Sequence, residues 1–127
     1  MIHEEICTYE VAMLAKEKGF NEYVEAFYAK GCDIAHSQGP EKWNEYNGKY
    51  AAPTQSLLQR WLREEKGVCV SVVAYTTFAT KNKLCYGWIV KHNSDGFSIK
   101  TIDSDNVFST YELALEDALA YSLKNLV

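Results

Sequence analysis

Four side chains near the start of the chain have the chemistry of metal ligands. His3 and Cys7 are four residues apart, and so are Cys32 and His36. Thiolate and imidazole suit zinc, so the two pairs together make a candidate Cys2His2 set. The usual zinc spacing groups Cys with Cys and His with His, so the plainer reading is a terminal histidine beside small core thiols. Cys32 with His36 or with His92 is also a candidate thiol nucleophile and base. Nothing in the sequence marks a partner carboxylate or an oxyanion hole for it. Asp103-Ser104-Asp105-Asn106 opens like a calcium loop but lacks the central Gly and the bidentate Glu at the twelfth position. It reads as a turn before the last helix. No Gly-rich phosphate loop is present. The expectation is therefore a non-enzymatic chain with no catalytic residue, no metal and no cofactor.

Two sets of residues remain as binding surfaces. Trp43, Tyr46 and Tyr50 lie in a polar stretch, and Trp and Tyr are enriched in interface hot spots. They are the candidate contacts to a protein partner, or else the anchors that tuck their loop onto the body. Gln55, Gln59, Arg60 and Arg63 share the polar side of a helix and have the side chains that read base edges and phosphates. They are the candidate nucleic-acid contacts, set against a helix docked on a sheet with its polar face in water. The charge balance disfavours the second reading. Net charge is −4 with no basic run, whereas phosphate binding draws on clustered Lys and Arg.

Composition bounds the rest. The chain has 127 residues, 47% hydrophobic and 24% charged, which is within the range of one globular domain spanning 1–127. No stretch reaches the ~20 apolar residues of a membrane span. The acidic opening, Met1-Ile2-His3-Glu4-Glu5, leads into no apolar run, so a cytoplasmic protein is expected. The four cysteines, Cys7, Cys32, Cys69 and Cys85, form no C-x-x-C pair. They read as free thiols.

The elements that position these residues follow from caps and periodicity. Thr8 caps a helix over 8–18 that Gly19 stops, with Phe20 as the apolar residue just past the stop. Residues 21–50 are ambiguous. Glu22 to Lys30 has fair helix propensity, but Val24, Ala26 and Tyr28 alternate with Glu25 and Phe27. Lys30-Gly31 then reads as a turn into Cys32-Asp33-Ile34. A hairpin over 23–36 is the preferred reading, with loop from Ser37 to Tyr50. Pro53 opens a helix over 53–66 with Leu57, Leu58, Trp61 and Leu62 as its apolar stripe, closed by Gly67. A three-strand meander spans 68–102. Val68 to Thr77 is apolar on both faces and fits a central strand. Turns are expected at Lys81-Asn82-Lys83 and at Asn93 to Gly96, with Phe97, Ile99 and Thr101 alternating in an outer strand. The strand register sets Cys85 opposite about Thr76, far from Cys69. A capping box, Ser109 with Glu112, starts the last helix over 110–126. The expected fold is α+β, with three helices packed on antiparallel sheet.

The segment Tyr50-Ala51-Ala52-Pro53-Thr54-Gln55-Ser56-Leu57-Leu58-Gln59-Arg60-Trp61-Leu62-Arg63-Glu64 and the ending Tyr111-Glu112-Leu113-Ala114-Leu115-Glu116-Asp117-Ala118-Leu119 carry a resemblance. With the capped first helix ending in residues 16–20, Lys-Glu-Lys-Gly-Phe, the chain resembles a family of short uncharacterised proteins from phage and prophage regions of gut Bacteroidetes. The resemblance covers nearly the whole chain. It implies a phage-related setting in a bacterial cytoplasm, and it carries over no functional residue.

Overall fold

A computed structural model describes residues 4–29, 33–76, 83–93 and 98–127. The fold is α+β, and the described residues form three α-helices and two three-stranded antiparallel sheets.

Helix α1 spans Tyr9–Glu17. The Thr8 hydroxyl accepts from the Val11 amide at 3.3 Å, which satisfies one of the unpaired donors at a helix start. At the other end Gly19 takes φ +97°. The Phe20 amide returns to Ala15 O at 2.9 Å and the Gly19 amide to Lys16 O at 3.2 Å, the paired bonds of a Schellman stop. Phe20 is buried, with its ring edge on Trp61 at 5.3 Å.

The ambiguous segment is a hairpin. Strand β1 spans Val24–Tyr28 and pairs antiparallel with β2, Ile34–Glu41; its turn at Lys30, Gly31 and Cys32 lies outside the described residues. The expected loop begins later than Ser37, because β2 runs on through Gly39 and Pro40 to Glu41. A register shift between Val24 and Ala26 absorbs the extra length, and an edge strand tolerates proline. Trp43–Glu45 then forms one 3-10 turn, and β3, Tyr50–Ala51, pairs on the other side of β1. The N-terminal segment extends this layer. The Cys7 amide donates to Pro53 O at 3.0 Å and the Gln55 amide to Glu5 O at 2.8 Å.

Helix α2 spans Gln55–Lys66, capped by Thr54 through the Leu57 amide at 3.2 Å and closed by Gly67 at φ +67°. Pro53 therefore precedes the cap instead of opening the helix. Its side chain is buried and its carbonyl receives the Cys7 amide.

The second sheet has strand order β4-β5-β6, from β4 (Val68–Tyr75), β5 (Cys85–His92) and β6 (Lys100–Asp103). This corrects the expected centre: β5 is central and β4 is an edge. Tyr75 faces Cys85 and Cys69 faces Lys91, so the two thiols are far apart as expected. Val68, Val70, Trp88 and Val90 lie on one face and are buried. Ile102, opposite Val90, joins them from β6, whereas Ile99 is 70% exposed. A Cβ at Gly87 would stand 3.0 Å from Ser104 Oγ and 3.2 Å from the Tyr75 hydroxyl. The gap left by this glycine is thus covered by the Tyr75 ring from the next strand. The expected turns at Lys81-Asn82 and Ser94 to Gly96, and Phe97, lie outside the described residues.

Helix α3 spans Tyr111–Asn125. Its cap is Thr110, bonded to the Leu113 amide at 3.1 Å, not Ser109. Phe108 is held by paired backbone bonds with Tyr86, and the turn into the helix falls one residue later than the capping-box pattern. Position three of the helix is then Leu113, so Glu112 has no cap to answer. The buried stripe, Ala114, Leu115, Ala118, Leu119, Ser122 and Leu123, packs on the second sheet and on α1. One apolar cluster joins both layers, including Phe20, Trp43, Leu58, Leu62, Val90 and Leu119. Among the described residues no helix is long and apolar enough to cross a membrane.

Candidate functional site

The aromatic loop is an anchor. Trp43 is only 9% exposed; its Nε1 donates to Val24 O at 2.8 Å and its ring lies on Phe27 at 4.2 Å. This burial removes Trp43 from the set of surface contacts. Asn44 donates to Phe20 O and accepts from the Ala51 amide, at 2.6 and 2.8 Å. Lys16 donates to Tyr46 O and Lys49 O at 3.0 and 2.8 Å. The Lys49 ammonium sits 5.1, 5.1 and 5.2 Å from the Phe27, Trp43 and Tyr46 ring centres. An aromatic cage of this kind can hold a ligand cation; here the chain's own lysine fills it. Tyr50 packs on Tyr9 at 5.4 Å and under Lys16. Tyr46, 46% exposed, is the member of the trio with the most surface to offer.

The polar side of α2 is also largely engaged. Gln55, expected on the exposed face, is 5% exposed. Its Nε2 donates to Glu112 O at 3.0 Å and Glu116 Oε1 at 2.9 Å. Gln59 Nε2 donates to Val70 O at 2.7 Å. Arg60 pairs with Glu64 at 3.1 Å. Arg63 is exposed, next to Glu64 and Glu65 in the chain. A base-reading row of four side chains is not assembled.

Glu116 does what no local spacing announced. Its Oε2 accepts from the Thr8 amide at 2.8 Å and the Thr8 hydroxyl at 2.7 Å, while Oε1 takes Gln55. The carboxylate thus stands where an anion would bind at the start of α1, and it ties all three helices together.

Among the described residues the thiols join no metal-binding group. His3 and Cys32 lie outside the described residues, so the zinc set and the Cys32 pairs do too. Among the described residues no group of three or more His, Cys, Asp or Glu is placed to hold a metal. Cys7 is fully buried, and burial, helped by the nearby Glu116 charge, pushes its thiol well above the ordinary range. A thiol held neutral is neither nucleophile nor ready ligand. Asp103 to Asn106 forms a turn in which Ser104 Oγ accepts from the Trp88 amide and donates to Asn106 O, both at 3.0 Å.

Two surfaces were not singled out by residue type. One is a cleft of about 410 Å³ between the hairpin and the start of α2, with Ile6, Ala26, Pro40 and Leu57 as apolar walls and Glu4, Glu25 and His36 as polar groups. The other is the outer face of the second sheet. Helices α2 and α3 both pack on the face that carries Val70 and Trp88: Gln59 reaches Val70, Asp117 accepts from Trp88 Nε1 at 2.8 Å, and Tyr121 lies on Trp88 at 5.1 Å. The opposite face carries Val73 and Tyr75, each 37% exposed, with Ile89 half-buried between them and β6. Cys69, Ser71, Lys91, Thr101 and Asp103 surround these and are exposed. An apolar middle with a polar rim is the anatomy of a protein interface. Its sequence signal was the two-faced apolar pattern of β4.

Compared with known proteins, the chain matches no family model, no curated protein and no solved structure.

Proposed function

We propose that the chain is a non-enzymatic, phage-derived accessory protein that binds another protein through the outer face of its second sheet. The observation that carries this reading is that face: Val73, Tyr75 and Ile89 form an apolar middle that neither α2 nor α3 covers. Exposed apolar area bounded by polar residues marks interaction sites in soluble proteins. The other two surfaces are reduced by the fold, since Trp43 of the aromatic loop and Gln55 and Gln59 of α2 spend their polar groups inside it.

Affinity capture from a bacterial cytoplasm tests the proposal, with Ile89→Lys and Tyr46→Ala run beside the parent protein. Ile89 is half-buried, and a lysine stem can lie along the sheet with its charge in water. A protein retained by the parent and by Tyr46→Ala, and lost from a folded Ile89→Lys, supports the reading. Retention by Ile89→Lys, or no retained protein, defeats it. Shift of random duplex DNA that weakens steeply with salt would favour a nucleic-acid role instead.

A further inference from the structure

We infer that β4 is a homodimerisation edge, joining two copies into one six-stranded sheet of order β6-β5-β4-β4-β5-β6. The inference concerns the edge of the sheet and does not depend on what binds its face.

Edge strands are normally protected against pairing by charge, proline, bulges or shortness. The other edges here are. Strand β2 carries Pro40, Glu41 and a register shift; β6 carries Lys100 and Asp103; β3 has two residues. Strand β4 differs. Its eight residues, Val-Cys-Val-Ser-Val-Val-Ala-Tyr, contain no charge, no proline and no glycine. Four are valines, which favour strand pairing.

The hydrogen-bond directions define what that edge offers. Trp88 and Tyr86 use both backbone groups toward the β6 side, with Ser104 and Phe108. Alternation then turns Ile89 and Gly87 toward Ser71 and Val73. The backbone groups of Val70, Val72 and Ala74 therefore point away from β5. Gln59 occupies Val70 O. What remains is a window made of Val72 and Ala74, symmetric about Val73.

This symmetry selects the occupant. An antiparallel second copy with its two-fold axis at Val73 sets Val72 opposite Ala74 twice, and each such pair exchanges two N–H···O bonds. All four bonds use groups in the window. Val73 meets Val73, and Ser71 meets Tyr75, so no like charges are opposed. Val70 falls opposite Thr76 of the second copy. The two Gln59 contacts are then six residues apart along the paired strands, about 20 Å at ~3.3 Å per residue. That exceeds the ~10 Å width of a helix, so the two α2 helices clear each other at these contacts. An isologous contact of this kind closes at two copies.

Light scattering across a dilution series tests the inference, with hydrogen exchange on the same samples. The parent protein is expected to reach twice the 14.5 kDa chain mass, with the Val72 and Ala74 amides protected in the dimer and fast on dilution. Val73→Lys opposes two charges at the axis, and Ala74→Pro removes two of the four donors while leaving the β5 ladder intact. Each should raise the dissociation midpoint about tenfold or more with an unchanged far-UV spectrum. A parent that stays at one chain mass overturns the inference. So do assembly beyond two copies, fast exchange at Val72 and Ala74 in concentrated parent, or a dimer that survives both substitutions.

Discussion

Replacing Trp43 separates a core anchor from a surface contact. Trp43→Ala removes a ring that is 9% exposed, its stacking on Phe27 and the Nε1 bond to Val24 O. Truncating a buried Trp costs about 3–5 kcal/mol. Set against a total of roughly 5–15 kcal/mol for a domain, this is about a fifth or more of the stability. At this chain length it lowers the melting midpoint by about 10–20 °C. Trp43→Phe keeps most of the ring and strands Val24 O, at about 1–3 kcal/mol. Tyr46→Ala, at a site 46% exposed, forfeits its contact with Lys49 and costs under about 1 kcal/mol. Urea unfolding followed by far-UV circular dichroism measures all three. The expected order is Ala at 43, then Phe at 43, then Ala at 46. If Trp43→Ala does not fold, the Phe variant carries the comparison. A Trp43→Ala loss below about 1 kcal/mol, or a Tyr46 loss equal to it, refutes the anchor assignment.

Glu116→Ala removes the acceptor of the Thr8 amide and hydroxyl and one of the two acceptors of Gln55 Nε2 at once. It should cost about 2–3 kcal/mol by urea unfolding, and Glu116→Gln should recover part of this. Cys7 contributes to alkaline sensitivity. Its folded thiol ionises above its ordinary value of 9.0, so the unfolded chain loses its proton first. Stability is whole below that value and falls as pH rises beyond it, by up to about 1.4 kcal/mol per pH unit. Cys7→Ala should flatten the fall above about pH 9, and an unchanged slope there would contradict the burial argument. Alkylation of the folded protein, mapped by peptide mass, should mark Cys69 before the buried Cys7 and Cys85.

Local grammar was legible and long-range pairing was not. Thr8, Gly19 and Phe20 act within a few residues of one helix, and all three hold the places their types imply. The hairpin alternation, the Gly67 stop and the Cys85 register are similarly short-range. The misplaced features depend on distant partners. Ser109 and Thr110 are equal candidates for a cap until Phe108 is fixed by Tyr86, 22 positions earlier in the numbering. Gln55 belongs to a polar stripe by period, yet its donors meet a carbonyl and a carboxylate of the last helix. Trp43 sits among polar neighbours in sequence, and only the hairpin supplies its partners Val24 and Phe27. Strand β4 has the pattern of a central strand because both of its faces are apolar. Its outer face is apolar without being covered, which is the property that drew the functional proposal to it.

The proposal rests on which surface meets the partner. Hydrogen exchange of the captured complex, compared with the free protein, reads that surface directly. Slowed exchange is expected along 68–75, 85–92 and 100–103. Slowing confined to 43–50, or to the exposed side of 55–66, would contradict it.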